Sequence, residues 1–357
     1  MAEDFKPQAL PLLIGSIPMR DHAQATELVL DYTPQIPLWV QLPVLPQEGM
    51  ISQFLPGLPG YRQQDGQEYV DTEDQDFDQE LLSFYEEYMA VTEAGQDLEH
   101  SRFSLDQERA QGFFALLERL QGSSLQLQGI KGQVTGPITF ATGVKNQEKK
   151  AIFYDEQLRD AAVKLLALKA AWQVERLQSL GVQVIIFFDE PALAGFGSSE
   201  FISISKQDVQ SCFAEVIEQV HIRQGLTGIH VCANADWSLI LESGADILSF
   251  DAYSYFDKLL LYSQQLQDFL QRGGIIAWGI VPTLEPADIE KESVDSLYQQ
   301  FARQLQRLQD AGLKKEKVLE RSLITPSCGT GSLSLEQARK VMQLTRDLSQ
   351  RIRNELM

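Results

Sequence analysis

The stretch Val182-Gln183-Val184-Ile185-Ile186-Phe187-Phe188-Asp189-Glu190-Pro191 decides the fold. Its first seven residues are apolar at almost every position, which predicts a strand over residues 182–188 that is buried on both faces. Strands of this kind belong to parallel sheets, whose two faces are covered by helices. The apolar run ends in two carboxylates and a proline, so polar side chains are expected at the carboxyl end of this strand.

Helical patterns flank this strand, and the same alternation continues in both directions. An Ala- and Leu-rich helix that ends at Gly181 is predicted before it, and a further helix and strand follow it. The predicted strands lie at 11–14, 36–40, 125–133, 182–188, 226–231, 246–250, 275–280 and 322–325. The predicted helices lie at 22–30, 79–92, 107–120, 155–180, 206–221, 237–242, 256–271, 287–311 and 334–354.

Eight strands that alternate with helices over 357 residues predict an α/β fold, a single (β/α)8 TIM barrel. An open, doubly wound sheet is the alternative, and it is disfavoured because no Gly-x-Gly-x-x-Gly follows the first strand. Residues 43–105 interrupt the pattern after the second strand with prolines, glycines and an acidic run. We interpret them as an inserted loop and helical excursion, with a short antiparallel element near Tyr69 and Val70. Residues 1–357 are therefore treated as one catalytic barrel domain.

The charge balance narrows the range of partners. Asp+Glu number 50 against 30 Lys+Arg, a formal net charge of -20. Such a surface repels phosphate backbones and anionic lipid, so we expect neither nucleic-acid nor membrane binding. Residues 1–8 are polar and acidic, and we expect no signal peptide. Three cysteines without a secretion signal argue against a disulfide framework, and they predict a reducing, cytoplasmic location.

In a barrel of this type the chemistry gathers at the carboxyl ends of the strands. His230 and Cys232 lie at the end of the fifth strand and point to the same side, because side chains alternate along a strand. The fifth and eighth strands face one another across a barrel mouth, so we expect Cys328 to meet this pair. Asp251 on the sixth strand is a candidate for a fourth contributor. Further polar side chains at strand ends are Ser16, Gln41, Gln133, Thr135 and Glu190.

This donor set predicts a zinc site. Two thiols and an imidazole favour zinc over magnesium or calcium. Three protein ligands leave one position open, which is typical of catalytic zinc, and the metal would hold a substrate thiol as thiolate.

Simpler readings of these residues remain open. A His-x-Cys pair in a strand is often part of the core, since free cysteine behaves as a small hydrophobe. Cys328 at a second strand end argues against that reading, whereas Cys212 on an apolar helical stripe is assigned to the core. Asp189 and Glu190 could cap a helix, but their place at the end of a buried strand favours function. The remaining histidines are expected at the surface: His22, His100 and His221.

Five short motifs follow one another at the predicted strand ends. They are Ile14-Gly15-Ser16-Ile17-Pro18, Gln133-Val134-Thr135-Gly136-Pro137-Ile138-Thr139-Phe140, Phe188-Asp189-Glu190-Pro191-Ala192-Leu193, His230-Val231-Cys232 and Ser327-Cys328-Gly329. With these motifs the chain resembles, over nearly its whole length, the zinc-dependent methyltransferases of the uroporphyrinogen decarboxylase and cobalamin-independent methionine synthase superfamily.

The resemblance implies a TIM barrel and zinc held by His230, Cys232 and Cys328. Asp251 stands where methionine synthase has a glutamate as a further ligand. The resemblance also implies that residues 14–16 bind the carboxylate of an amino-acid acceptor, homocysteine, and that the catalytic residue Asp189 binds its amino group. Two further candidates for substrate binding are Glu190 and Gln133.

Two departures from methionine synthase affect the predicted partners. Methionine synthase is a doubled barrel whose N-terminal half helps to hold folate, whereas this chain is one barrel. Single-barrel relatives resemble enzymes that take methyl from a corrinoid protein. We therefore expect a methylcorrinoid protein as donor and partner, with methyltetrahydrofolate second. In addition, no residue matches the second carboxylate that binds the homocysteine amine.

The predicted function is a zinc-dependent methyltransferase that acts on a small thiol, with homocysteine as the first candidate. Two alternatives remain. One is a zinc- or corrinoid-related binding protein without turnover. The other is a metal-free lyase of the uroporphyrinogen decarboxylase type that uses Asp189 and Glu190.

Overall fold

The computed structural model describes residues 5–197, 201 and 203–357. Residues 1–4, part of the segment for which we expect no signal peptide, lie outside this description. The strands are β1 (Leu10–Pro11), β2 (Tyr61–Gln64), β3 (Gln67–Val70), β4 (Gly129–Thr135), β5 (Gln183–Asp189), β6 (Leu226–Val231), β7 (Ile247–Phe250), β8 (Ile275–Val281) and β9 (Ser322–Pro326). The helices are α1 (His22–Tyr32), α2 (Phe77–Thr92), α3 (Gln111–Leu120), α4 (Pro137–Gly143), α5 (Glu156–Leu177), α6 (Lys206–Ile222), α7 (Ser238–Leu241), α8 (Ala252–Leu259), α9 (Ser263–Gln271), α10 (Pro286–Lys291), α11 (Val294–Asp310), α12 (Lys315–Glu320) and α13 (Leu335–Leu356).

Within the described residues, seven strands form one parallel sheet in the order β1-β9-β8-β7-β6-β5-β4. Alternate residues of β5 enter two separate apolar clusters, with Ile185 and Phe187 in one and Ile186 and Phe188 in the other. The first cluster gathers residues from β1 and from β5 to β9, so the sheet curls around it as a half-barrel. The predicted α/β fold with a buried parallel sheet is therefore confirmed.

The segment predicted as the second strand, 36–40, does not form a regular strand. It makes isolated parallel bridges, one from Leu38 to Lys131 of β4 and one from Gln41 to Ser16 beyond β1. The carbonyl of Pro37 accepts from the Lys131 amide, and the Gln41 amide donates to the Gly15 carbonyl. Because a proline has no N–H, Pro37 cannot contribute a donor to a ladder. The segment thus contacts both edges of the sheet without completing a ladder on either side.

Two predicted helices are each divided in the structure. The helix predicted over 256–271 is α8 and α9, separated by a 3-10 turn at Leu260–Tyr262. The helix predicted over 287–311 is α10 and α11, because Ser293 forms a capping box that starts α11 anew. The short helices α4 and α12 were not predicted, since six or seven residues are too few to display a helical period.

Residues 43–105, predicted as an insertion, contain the antiparallel hairpin β2–β3 and helix α2. The hairpin turns at Asp65 and Gly66, which both have positive φ, as a two-residue Asp-Gly turn requires. Arg109 fixes the hairpin, since its guanidinium donates to the Glu68 carboxylate at 3.1 Å and to the Tyr61 hydroxyl at 3.0 Å. The excursion is therefore held against the rest of the chain by specific polar contacts.

Helix α3 packs closely on the segment that lies between the two sheet edges. A Cβ atom at Gly112 would lie 2.0 Å from the carbonyl oxygen of Val40, a distance that no side chain tolerates. We expect Gly112→Ala to lower the free energy of unfolding by about 1–3 kcal/mol, the usual cost of overpacking. Urea unfolding monitored by circular dichroism measures this, with the exposed neighbour Gln111→Ala as the control. Equal stability of the two variants would contradict the close packing.

Candidate metal centre

The structure brings His230, Cys232 and Cys328 together at the carboxyl ends of two strands. His230 is the penultimate residue of β6, Cys232 follows that strand directly, and Cys328 lies two residues beyond β9. One nitrogen of the imidazole and the two sulfur atoms all lie within 4.8 Å of one another. Residues from two distant parts of the sequence thus form one group that could hold a metal ion.

The imidazole of His230 is oriented by a neighbouring strand. His230 on β6 is in register with Ser249 on β7, and its Nδ1 lies 2.9 Å from the Ser249 hydroxyl oxygen. The other ring nitrogen, Nε2, is buried and has no hydrogen-bond partner in the part of the chain that the structure describes. Leaving a buried nitrogen without a hydrogen-bond partner is unfavourable by about 1–3 kcal/mol. A metal ion bound to this nitrogen beside the two thiols would supply the missing partner.

The two thiols shift the pKa values of one another in opposite directions. A hydrogen bond from Cys328 and the contact with His230 hold the pKa of Cys232 far below its usual range. The same hydrogen bond and burial raise the pKa of Cys328. A thiolate beside a thiol and an imidazole is a donor set of the type that zinc prefers.

A cavity of about 290 Å³ opens at this group. The wall contains most of the residues predicted for the site: Ile14, Ser16, Asp189, His230, Cys232 and Cys328. The inserted segment adds Pro43, Glu48 and Met50, which the sequence patterns did not indicate as site residues. The candidate metal ligands and the candidate amino-acid contacts therefore face one shared space.

Asp189 is the last residue of β5 and is in register with His230. Its carboxylate is buried, and Oδ1 has no hydrogen-bond partner among the described residues. Burial raises the pKa of Asp189, while the nearby charges of Lys131 and His230 act in the opposite direction. Asp189 thus lines the cavity and has an unpaired carboxylate oxygen, which makes it a candidate to bind a donor on a ligand.

Glu190 turns away from the cavity and caps a helix. Its two oxygens accept from the backbone amides of Ile138 and Thr139 at 2.9 and 2.8 Å, and the Thr139 hydroxyl adds a third contact at 2.7 Å. Burial raises the pKa of Glu190 to about 7, although these hydrogen bonds oppose the shift. The contacts are those of the helix-capping alternative, here at the start of α4.

Two other predicted site residues also have partners outside the cavity. Asp251 accepts from the Ser254 amide at 2.8 Å at the start of α8, and it is not part of the group within 4.8 Å. Gln133 donates to the Trp39 carbonyl at 2.8 Å and accepts from Lys131 at 3.0 Å. The ligand role of Asp251 and the substrate role of Gln133 stay predictions.

Sequence reasoning missed a buried pair beside the cavity. Nε2 of His22 lies 2.6 Å from Glu48 Oε1, and Glu48 Oε2 accepts from the Leu42 amide. The surface position expected for His22 is wrong, whereas His100 is exposed as expected. No local sequence pattern predicts that His22, at the start of α1, contacts Glu48 in the inserted segment. Ser249, in contrast, could have been found, because it lies two residues before Asp251 and so shares its face of the strand.

The site is a cavity at the carboxyl ends of parallel strands, with a candidate group of metal ligands in its wall. The family described as the catalytic domain of cobalamin-independent synthase matches residues 105–351, more than half of the chain, and the protein belongs to this family. Membership in this family implies that the protein is a methyltransferase. The matched span contains His230, Cys232 and Cys328 but not residues 14–16. A cobalamin-independent family conflicts with the methylcorrinoid donor expected from the single barrel, and that expectation is corrected.

Other comparisons add little. One solved structure that resembles the chain is a pneumococcal exo-beta-D-N-acetylglucosaminidase with tandem GH20 catalytic modules, at 10% sequence identity and a TM-score of 0.46, with 96% of this chain and 85% of that chain covered. No protein with a curated description matches the chain at a significant level. Among the helices that the structure describes, none has the length and apolar character needed to cross a membrane.

The contact between Ser249 and His230 predicts an effect on metal affinity. Without the hydroxyl the ring loses its orienting partner, so we expect Ser249→Ala to weaken binding of Co²⁺ or Zn²⁺ about 10- to 100-fold, and Ser249→Thr to restore it. Competition with a chelating dye measures the Kd. Ser322→Ala, which removes an equally buried strand hydroxyl at the contact with Trp278, is the control. Unchanged metal affinity in Ser249→Ala would exclude the orienting role.

Proposed function

We propose that this protein is a zinc-dependent methyltransferase that moves a methyl group from methyltetrahydrofolate to the thiol of homocysteine. The observation that carries the proposal is the group formed by His230, Cys232 and Cys328 at the wall of a cavity, in a member of the cobalamin-independent synthase family. We also propose that segment 36–41, which hydrogen-bonds to both sheet edges, closes the sheet into an eight-stranded (β/α)8 barrel.

The donor set supports zinc as the metal. The buried Nε2 of His230 and the two sulfur atoms of Cys232 and Cys328 would hold the ion and leave one position open to the cavity. Bound zinc keeps a coordinated thiol deprotonated near neutral pH. Ser249 fixes the imidazole from the opposite side, so that the chain positions its own ligands before a substrate arrives.

The remaining cavity wall fits the amino-acid end of the acceptor. The unpaired Oδ1 of Asp189 would accept from the substrate ammonium, and residues 14–16 would bind its carboxylate. Ser16 lies close to the metal ligands, because a Cβ atom at Gly329, the neighbour of Cys328, would lie 2.1 Å from the Ser16 hydroxyl oxygen. The thiol and the amino-acid end of one small molecule could thus be bound together.

The transfer balances without a redox partner. The acceptor thiol loses its proton, and its sulfur attacks the methyl carbon of the donor. The new S–C bond forms as the N–CH3 bond of methyltetrahydrofolate breaks, and the electron pair stays on the donor nitrogen, which takes up a proton. The residues of the chain align the sulfur and exclude competing nucleophiles, which is the usual contribution of a closed site to such a displacement.

The contacts of Glu190 argue against the lyase alternative. A metal-free reaction that uses Asp189 with Glu190 needs both carboxylates at the cavity. The Glu190 oxygens are instead bound to the first turn of α4. Of these two carboxylates, Asp189 lines the cavity beside the metal ligands and Glu190 does not.

Cys328→Ala tests the proposal. We expect the purified wild-type protein to contain close to one equivalent of zinc and to form methionine from homocysteine and methyltetrahydrofolate. Cys328→Ala should lose both properties, because two ligands hold zinc far less tightly than three.

Elemental analysis and a radiolabelled methyl-transfer assay measure these properties. Cys212→Ala is the matched control, since Cys212 is buried on α6 away from the cavity wall. Wild-type protein without zinc, or zinc that persists undiminished in Cys328→Ala, would contradict the metal assignment. Transfer from methylcobalamin but not from methyltetrahydrofolate would contradict the donor.

A further inference from the structure

A fully buried lysine spans the two edges of the sheet. Lys131 lies in β4, one edge strand, and its Nζ donates to the carbonyl of Ile14, which follows β1 at the other edge. That distance is 2.5 Å, and the Nζ atom also lies 4.6 Å from the centre of the Phe187 ring on the concave face. The Lys131 side chain therefore joins edges that the backbone of segment 36–41 connects only by isolated bridges.

Burying an ammonium group in this position is energetically unfavourable, which indicates that Lys131 has a functional role. Burial lowers the pKa of Lys131 to about 8, and the charge of Asp189 acts against that shift. The two groups therefore interact electrostatically across the interior. An apolar residue of similar length would fill the same space without this desolvation, and such replacements of buried charges are often neutral or stabilising. Filling the core alone does not account for a lysine.

Both side-chain hydrogen bonds of Lys131 lead to the part of the cavity assigned to the amino-acid end. Ile14 itself lines the cavity, as do Gly15 and Ser16 after it. Lys131 also donates to the Gln133 side-chain oxygen at 3.0 Å, and Gln133 donates to the Trp39 carbonyl. A Cβ atom at Gly15 would lie 3.4 Å from the Gln133 amide carbon, so this network packs against the cavity wall at Gly15.

We propose that Lys131 is a positioning residue that holds residues 14–16 in place, so that the charged amino-acid end of the acceptor meets a fixed surface. This inference rests on the proposed function, since it assumes an acceptor with an amino-acid end. Lys131 takes no part in binding the metal or the thiol, because its contacts lie with Ile14, Gln133 and Phe187. Its loss should therefore affect one end of the substrate only.

The test compares Lys131→Met with Lys169→Met. Lys169 on α5 is equally buried, its pKa is also lowered to about 8 by burial, and it donates to the Ser104 carbonyl rather than to the cavity wall. Both variants thus remove a buried ammonium group, and only one removes the contact with Ile14. Three quantities are measured: KM for homocysteine, the rate with 2-mercaptoethanol, which lacks the amino-acid end, and the Kd for zinc.

We expect Lys131→Met to raise the KM for homocysteine about 10-fold or more, a usual effect of losing charge-assisted hydrogen bonds. The rate with 2-mercaptoethanol and the zinc Kd should stay within about 2-fold of wild type, and Lys169→Met should change none of the three. An equal loss with both thiols, an unchanged KM for homocysteine, or the same pattern in Lys169→Met would overturn the inference. If Lys131→Met does not fold, Lys131→Gln, which removes the charge and shortens the side chain, should show the same selectivity for homocysteine.

Hydrogen exchange separates this inference from the proposed function. The amides of Ile17 and Gln41 donate across the wall, to the Gln41 and Gly15 carbonyls respectively. We expect peptides that contain these amides to exchange about 10-fold faster or more in Lys131→Met and not in Lys169→Met, because local opening becomes easier. Wild-type protein that methylates no thiol would contradict the proposed function and leave this readout intact. Unchanged exchange in Lys131→Met would contradict the positioning role whatever the activity.

Discussion

The site depends on one buried nitrogen atom. In the described part of the chain, Nε2 of His230 has no hydrogen-bond partner, while Ser249 engages the other ring nitrogen. A buried polar atom in this state is unfavourable by about 1–3 kcal/mol. One ring nitrogen of His230 and two cysteine sulfurs lie within 4.8 Å of one another. A divalent cation bound by this group would satisfy the buried nitrogen, so the arrangement makes chemical sense when a metal is bound.

The parallel sheet explains how the ligands meet. Residues of β6 and β9 that are distant in the sequence arrive at one edge of the sheet, because all strands of a parallel sheet end on the same side. The alternation of side chains then turns His230 and Cys232 toward the same space. An apolar cluster fills the concave face of the sheet, while Asp189 and the metal ligands line the cavity at the carboxyl ends of the strands. The metal ligands therefore lie at the end of strands that are packed together by this cluster.

The sequence predicted the features that depend on short-range patterns. The buried strand that ends in Asp189 and the His-x-Cys pair follow from hydrophobicity and from the two-residue period of a strand, and the structure contains both. Contacts between side chains that are far apart in the sequence were not predictable in this way. Glu190 caps α4, Lys131 reaches across the sheet to Ile14, and both depend on elements far away in the sequence. The corrinoid donor was expected from the single barrel and from the likeness of segments 39–60 and 277–283 to corrinoid-linked enzymes, and neither feature identifies the residues that bind a donor.

The zinc K-edge absorption spectrum of the purified protein, recorded with and without homocysteine, tests the central claim most directly. The account predicts a zinc ion with one nitrogen-type and two sulfur ligands from His230, Cys232 and Cys328. Homocysteine should add a third sulfur at about 2.3 Å, the usual zinc–thiolate distance. A coordination shell that keeps two sulfurs at saturating homocysteine would contradict the claim that this site activates a thiol.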